Sequence, residues 1–315
     1  LIILMLTAGL AGAQNDLIDA AVEKKKADLE ELKAGGYFSG YFSPIISTLG
    51  TGLLTGLWKD ADFKEMGLKL YLGLEAYNVW IPNNQLLFET PSKYSTGNVK
   101  TATIFGGKPA VVQDANGMVD VSFLPGLLPS EGSGLPLAMP KLTLGSFMGT
   151  GISARFLYLP DVFGLGEAFS LEGDKSLMIY SVGISHSISQ YLSNLPLNAA
   201  AAFSYGSINL LDIIKVNAVG IDINISKKLA VLEALVGVGW EKSTGSIDFK
   251  ITEEVLDDSS LGKDFEFALD EKNIKGLSQF HANLGLTLKL GLYSMHSIIH
   301  LGRQMSVSGG MGFDF

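Results

Sequence analysis

Cysteine is absent from the 315 residues, and charged residues make up only 17% of them. No apolar run reaches the roughly 18 residues that a membrane-spanning helix needs. The first absence removes thiolate metal sites, thiol nucleophiles and disulfides together. The second sets the chain apart from soluble domains, which carry about 25% charge. The third excludes a helical membrane protein. With 23 Lys and Arg against 32 Asp and Glu, the net charge is −9, and a nucleic-acid partner is excluded because phosphates need clustered basic residues. What is abundant is apolar residues, 47%, and glycine, 37 of 315. That is about 12% Gly against a usual 7% or so. A chain this apolar does not stay disordered, so these quantities describe a folded, β-rich protein with an apolar surface.

Residues 1–13, LIILMLTAGLAGA, end in Ala11-Gly12-Ala13, the small-x-small pattern that signal peptidase accepts. They are too short to span a bilayer and read as the remainder of an export signal, cleaved after Ala13.

Beyond residue 66 the hydrophobic period is two. From Phe280 to Leu292 the even positions are Phe280, Ala282, Leu284, Leu286, Leu288, Leu290 and Leu292; the odd ones are His281, Asn283, Gly285, Thr287, Lys289 and Gly291. A strand puts these sets on opposite faces, whereas a helix would scatter the leucines around its cylinder. The pattern returns at Leu68–Tyr77, Val219–Ser226, Ala230–Trp240 and Ile247–Ile251. Several runs are 9 to 13 residues long, about the length of a transmembrane strand and longer than the 5–6 typical of globular proteins. A soluble β-sandwich also alternates, but its solvent face is rich in charge; here that face carries Gly, Ser, Thr and Asn. The last stretch alternates Val307, Gly309, Met311, Phe313 and Phe315 with Ser306, Ser308, Gly310, Gly312 and Asp314. Phe313 and Phe315 resemble the terminal aromatic signal read by the bacterial barrel-assembly machinery, and suit an interfacial girdle.

The expected fold is therefore all-β: a transmembrane antiparallel β-barrel in outer-membrane lipid, a monomer of about 12 strands with ten to fourteen open. Strands are expected near 67–80, 141–148, 151–159, 176–188, 197–208, 216–227, 230–241, 246–254, 277–292, 294–302 and 304–315. A twelfth is expected around 99–105, because bacterial barrels use an even number. Residues 14–65 form an N-terminal helical segment and 66–315 the barrel. Within the former, 16–34 is a polar helix. The stretch 43–58, opened by Ser43-Pro44, is a short helix that either plugs the lumen or packs outside the barrel mouth. Four prolines in 124–140 (Pro125, Pro129, Pro136 and Pro140) argue against a central strand and make that stretch an apolar loop. Its Leu127, Leu128, Leu135, Leu137 and Met139 are the candidate contacts for an apolar ligand or for the plug. Counting strands from the C-terminus puts 124–140 and 160–175 on the short-turn side and 255–276 on the other.

By register, Lys69, Glu75, Arg155, Asp222, Glu233, Asp248, Lys250 and Lys289 face the lumen, as a structural ion-pair network or as a polar path. His296 and His300 stand four apart on one strand face, about 13 Å, too far to hold one ion, so no metal and no cofactor is expected. Ser294 and His296 share a face, a spacing that outer-membrane phospholipases use, but no orienting Asn or Asp is indicated; no enzyme is expected. The glycine clusters lack the context of phosphate loops.

Tyr41–Trp58, Leu68–Pro82, the run Thr103-Ile104-Phe105-Gly106-Gly107-Lys108-Pro109-Ala110-Val111-Val112, Leu135–Pro160 and Tyr180–Leu192 resemble a domain-of-unknown-function family of outer-membrane barrels of Bacteroidetes-type bacteria. The helix ahead of the first strand also looks like the hatch of the long-chain fatty-acid transporter superfamily, although no hatch motif matches residue for residue. The resemblance implies a membrane barrel and supplies no substrate. The function expected is passive uptake or binding of a small apolar molecule; the alternative is a structural or adhesion barrel that anchors surface loops. An apolar pocket through the lumen would favour the first, a salt-bridged and filled lumen the second.

Overall fold

The computed structural model describes residues 22–63, 69–91, 98–113, 119–120, 123–128, 134–160, 176–192, 196–252 and 266–315. The expected export signal and its expected cleavage point lie outside them. Two helices open the described chain, α1 over 22–34 and α2 over Tyr37–Leu54. The strands that follow are β1 Lys69–Trp80, β2 Leu87–Pro91, β3 Asn98–Ala102, β4 Val112–Gln113, β5 Val119–Asp120, β6 Gly134–Phe147 and β7 Thr150–Leu159. They continue with β8 Leu177–Ser187, β9 Asn198–Leu210, β10 Ile214–Leu229, β11 Leu232–Thr252, β12 Glu266–Leu290, β13 Tyr293–Leu301 and β14 Ser306–Asp314. No helix among the described residues is long and apolar enough to cross a membrane.

The chain forms two compact units. The larger comprises Ser43–Asn84, Ser130–Ser246 and Lys272–Phe315; the smaller comprises the residues up to Phe42, Gln85–Pro129 and Ile247–Glu271.

β1 and β6 to β14 close into an antiparallel barrel in the order β1-β14-β13-β12-β11-β10-β9-β8-β7-β6. β1 seals the seam, pairing Leu72↔Phe313 on one side and Leu72↔Leu142 on the other. The alternation read from the sequence is the wall itself. Leu284, Leu286 and Leu290 point outward, Leu286 being 52% exposed, while Thr287 is buried inside. On β1, Leu72 and Leu74 point out and Tyr71, Glu75 and Tyr77 point in. Ile152, Phe156, Ile184, Phe203, Ile221, Ile223, Val236, Val238, Met295, Ile299 and Met311 extend this outward apolar belt. Water would not tolerate such a surface, since exposed apolar patches on soluble monomers rarely pass a few hundred Å². Lipid requires it, and closure gives every wall strand a partner on both sides over most of the barrel. The chain is a membrane-spanning barrel.

The barrel has ten strands rather than twelve, for two reasons. The stretches expected as 230–241 and 246–254 are one continuous strand, β11. The stretch near 99–105 contributes β3, which pairs with β2 in a separate two-stranded sheet, Glu89↔Lys100. The merged strand also corrects the sidedness. β6–β7, β10–β11 and β12–β13 are joined by two-residue turns at one end. The connections from β1 to β6, β7 to β8 and β11 to β12 all leave from the other, as long loops of such barrels do.

The proline-rich stretch is the third correction. Residues 134–140 are the first half of β6, paired with β1 from Trp80↔Gly134 to Leu74↔Pro140. Pro136 and Pro140 are tolerated because the ladder with β7 begins only at Lys141↔Arg155. That stretch therefore has a free edge, which is where proline fits in a sheet.

In the smaller unit, Tyr37 stacks on Tyr41 and on Phe123, with ring centroids 5.8 and 5.6 Å apart. Tyr41 Oη donates to the Pro125 carbonyl (2.6 Å), and Leu124 N donates to Tyr37 Oη (2.7 Å). These aromatics begin α2, which starts six residues before Ser43 and runs through Pro44. The proline costs the helix one backbone hydrogen bond without ending it.

Candidate functional site

Residues 43–63 of the larger unit fill the barrel interior. Their neighbours are inward-facing residues of nearly every strand, which answers the open choice between a plug and a helix outside the mouth. The wall is cut to receive them. A Cβ on Gly183 would meet Leu57 and Trp58, one on Gly206 would meet Leu53, one on Gly220 Leu54 and one on Gly245 Ile46. Between these glycines the lining is small and polar: Ser153, Ser181, Ser185, Ser204, Ser226 and Ser306 are all buried.

α2 ends inside the lumen, and its unpaired carbonyls have cationic partners. Arg155 donates to the carbonyls of Thr55 (2.7 Å) and Leu53 (2.5 Å), and Ser181 Oγ also donates to Leu53 (2.7 Å). Lys141 Nζ donates to the Gly56 carbonyl at 2.6 Å. The last carbonyls of a helix are left without intrahelical donors and carry partial negative charge, so two buried cations there satisfy both needs. Gly56 supplies the turn that ends the helix, at φ +74°.

The charges fall into three groups. In the first, Glu75 binds Lys141 (3.2 Å) and His296 (2.7 Å), all fully buried. In the second, Lys59 holds Asp314 (2.6 Å), Lys69 holds Asp62 (3.1 Å), and Lys289 bridges Glu233 (2.9 Å) and Asp60 (3.5 Å). Asp60 lies in the connection between α2 and β1. Burial pushes its carboxyl up, but Lys289, Lys59 and Lys69 outweigh this and hold it below the usual carboxylate value. In the third, Thr51 Oγ1 and Gln279 Nε2 donate to Glu241 Oε1 (2.6 and 2.5 Å), and His281 Nε2 meets Asp222 Oδ1 at 2.8 Å.

Of the residues expected in the lumen, Lys69, Glu75, Arg155, Asp222, Glu233 and Lys289 are there. Asp248 and Lys250 are not. They lie on the outward face of β11, exposed, with Lys250 paired to Glu266 at 3.1 Å. The inward face at that level is Ile247 and Ile251. The outward face of β11 turns from apolar (Val236, Val238) to polar (Lys242, Asp248, Lys250) along one strand, so register assigned from polarity alone inverts there. The candidate ligand residues also divide. Leu135, Leu137 and Met139 are on the inward face of β6, Met139 fully buried. Leu127 (44% exposed) and Leu128 belong to the smaller unit, where both backbone amides donate to the Ile104 carbonyl at 2.9 Å. Sequence reasoning missed Lys59, Lys141, Glu241 and His281, the first two because they stood in segments read as helix or followed a supposed loop. Ser294 Oγ is buried without a hydrogen-bond partner among the described residues, so it shares no proton with His296. The outward Phe313 and Phe315 rings lie tilted against each other, centroids 6.3 Å apart.

A closed barrel with an apolar belt and a lumen filled by its own N-terminal segment is a transmembrane barrel of the outer-membrane kind. Residues 1–315 match the model described as "Family of unknown function (DUF6588)", and the chain belongs to that family. No curated protein matches it. Among solved structures, the toluene transporter TbuX of Ralstonia pickettii is similar at 7% identity and TM-score 0.29, covering 84% of this chain and 93% of that one. A mutant of the monoaromatic hydrocarbon channel TodX is similar at 8% identity and TM-score 0.29, covering 84% and 94%. OmpF of Salmonella typhi follows at 12% identity and TM-score 0.24, covering 79% and 97%. Likeness at this level assigns no ligand.

Proposed function

We propose that this chain is an outer-membrane barrel, sealed at rest, that binds or passes a small apolar molecule only when residues 43–63 yield. It acts by binding and passive passage, not by catalysis. The observation that supports this is the hollowed wall. A ten-stranded barrel that merely anchors loops can fill its interior with large side chains of its own strands. Here Gly183, Gly206, Gly220 and Gly245 leave room for a separate, polar-bonded insert. The apolar character of the solute rests on the inward Leu135, Leu137 and Met139 of the barrel wall.

A second reading has its own observation. The lumen is salt-bridged and filled, which suits a barrel that only anchors its loops. The cysteine-free chain allows a direct test. Thr55 Oγ1 and Ser306 Oγ stand 2.7 Å apart, so the double variant Thr55→Cys/Ser306→Cys places a disulfide between plug and wall. Entry of an apolar fluorescent probe into proteoliposomes should occur with the reduced variant, stop on oxidation and return on reduction. Absence of entry in both states, with the wild type equally silent, would favour the anchor.

A further inference from the structure

His281, His300 and Glu241 come together inside the barrel from three places in the chain, on β12, β13 and β11. One ligand atom from each lies within 4.8 Å of the others. Their hydrogen bonds fix which atoms are free. Asp222 can only accept as a carboxylate, so His281 Nε2, 2.8 Å from Asp222 Oδ1, carries a hydrogen and donates it. The same Asp222 oxygen accepts from Asn283 Nδ2 at 3.1 Å, which orients the Asn283 amide and turns its Oδ1 toward His300 Nδ1, also at 3.1 Å. His300 therefore carries its hydrogen on Nδ1. What remains is His281 Nδ1, His300 Nε2 and Glu241 Oε2, all buried and none with a hydrogen-bond partner among the described residues.

In their neutral form the two imidazoles thus each turn an acceptor nitrogen toward Glu241. His300 Nε2 is 3.6 Å from Glu241 Oε1, and His281 Nδ1 is 4.0 Å from Glu241 Oε2. These gaps are too long for a shared proton, and an ion held at about 2.0–2.2 Å by each residue would draw together a group that now spans up to 4.8 Å. The two rings stack, centroids 4.1 Å apart. Beside them is a cavity of about 20 Å³ lined by Asp222, Glu241, His281, Asn283 and His300, which holds about one water.

We propose that Glu241, His281 and His300 bind one divalent transition-metal ion of the zinc class, with a water in the fourth position. The donor set of two imidazoles and one carboxylate is that of zinc sites with an open coordination position. Asp222 on His281 and Asn283 on His300 are the outer partners that fix tautomer and ring orientation in such sites. Spacing along one strand argued against a metal because it paired His300 with His296. Across strands, His300 faces His281, while His296 is held by Glu75. Glu241 also accepts from Thr51 of α2, so an ion here would brace the plug against the wall. The site does not depend on whether the barrel transports anything.

The test uses the refolded chain in detergent, stripped with chelator and titrated with Zn²⁺, and separately with Co²⁺ for its visible d–d spectrum. One equivalent of Zn²⁺ should bind, and Co²⁺ should give the intense bands of a four-coordinate N and O site. His300→Ala should lower the affinity by about 100-fold or more, and Asp222→Asn by about 10–100-fold. His186→Ala, a half-buried histidine outside the group, should leave both readouts unchanged. Heat-modifiable gel mobility reports folding of each variant. If His300→Ala fails to fold, the wild-type Co²⁺ spectrum and the Asp222→Asn titration decide. No stoichiometric binding, a six-coordinate Co²⁺ spectrum, or binding lost with His186→Ala would each overturn the site.

Discussion

Arg155, on the wall strand β7, donates from its guanidinium to the carbonyl of Thr55, just beyond the end of the plug helix, at 2.7 Å. A side chain of the barrel thus caps a helix of a different element. With Arg155 removed, the Thr55 carbonyl loses its charged donor, and Leu53 keeps only Ser181. A buried hydrogen bond to a charged group contributes about 1.5–3 kcal/mol. Arg155→Ala should weaken the hold on the plug by about 2–3 kcal/mol, on the same scale, and leave the outward belt untouched. Hydrogen exchange should show faster exchange in residues 43–57 with unchanged protection in β10 to β13. Equal loosening of plug and barrel would mean that the two unfold as one.

Gly206 faces Leu53, and a side chain there has no room. Gly206→Leu should expel or displace the plug, at about 1–3 kcal/mol or more for overpacking. Ala201→Leu, on the exposed face of the same strand, should be neutral. Limited proteolysis within residues 43–63 distinguishes the two variants.

The walls of this molecule were legible in its sequence, and its interior only in part. Leu284 to Leu290 alternate because lipid demands it on one face and the plug on the other, and a period of two records that directly. Cross-strand partners leave no such trace: Glu75 and His296 bond across 221 residues of chain, and Glu241, His281 and His300 share no local motif. Pro136 and Pro140 misled because the free edge that admits them is a property of the register with β7, not of the residues. Asp248 misled because its strand changes surroundings partway along.

Asp60 gives the plug a pH dependence. Its folded-state carboxyl lies below the ordinary value because Lys289, Lys59 and Lys69 prevail over burial. A depressed carboxylate contributes stability above its unfolded value, about 3.9, and loses that contribution as pH falls through the lower folded value. Asp60→Asn removes it at every pH. The stability gap between wild type and Asp60→Asn, from urea unfolding in lipid, should be constant above about pH 5 and shrink below pH 4. A gap that widens on acidification would contradict the ion-pair assignment.

The seam carries its own test. Phe315 and Leu70 exchange two backbone hydrogen bonds, 2.8 and 3.1 Å, and the Phe315 ring points outward. Phe315→Ala keeps both bonds and removes only the aromatic ring. If the ring is what the barrel-assembly machinery reads, membrane insertion in cells should slow severalfold while refolding into pure lipid proceeds nearly as in the wild type. Equal slowing in both settings would assign the ring to barrel stability instead.

β11 marks the edge of the membrane. Its outward residues Val236 and Val238 are apolar and exposed, whereas Lys242, Asp248 and Lys250 on the same face are charged. A charge facing the hydrocarbon midplane costs about 2–4 kcal/mol and near the interface about 0–1 kcal/mol, so the transition from Val238 to Lys242 brackets the boundary. Single cysteines at outward positions of this cysteine-free chain report depth without background labelling. Val236→Cys and Val238→Cys should be quenched by lipid-borne quenchers and resist a charged maleimide. Asp248→Cys and Lys250→Cys should do the reverse. Val236→Arg should destabilise the barrel by about 2–4 kcal/mol and Asp248→Arg by less than 1 kcal/mol, following the same depth dependence. Ready maleimide labelling at Val238→Cys would move the boundary toward the start of β11. The apolar stretch at Val236 and Val238 would then have to be covered by something other than lipid.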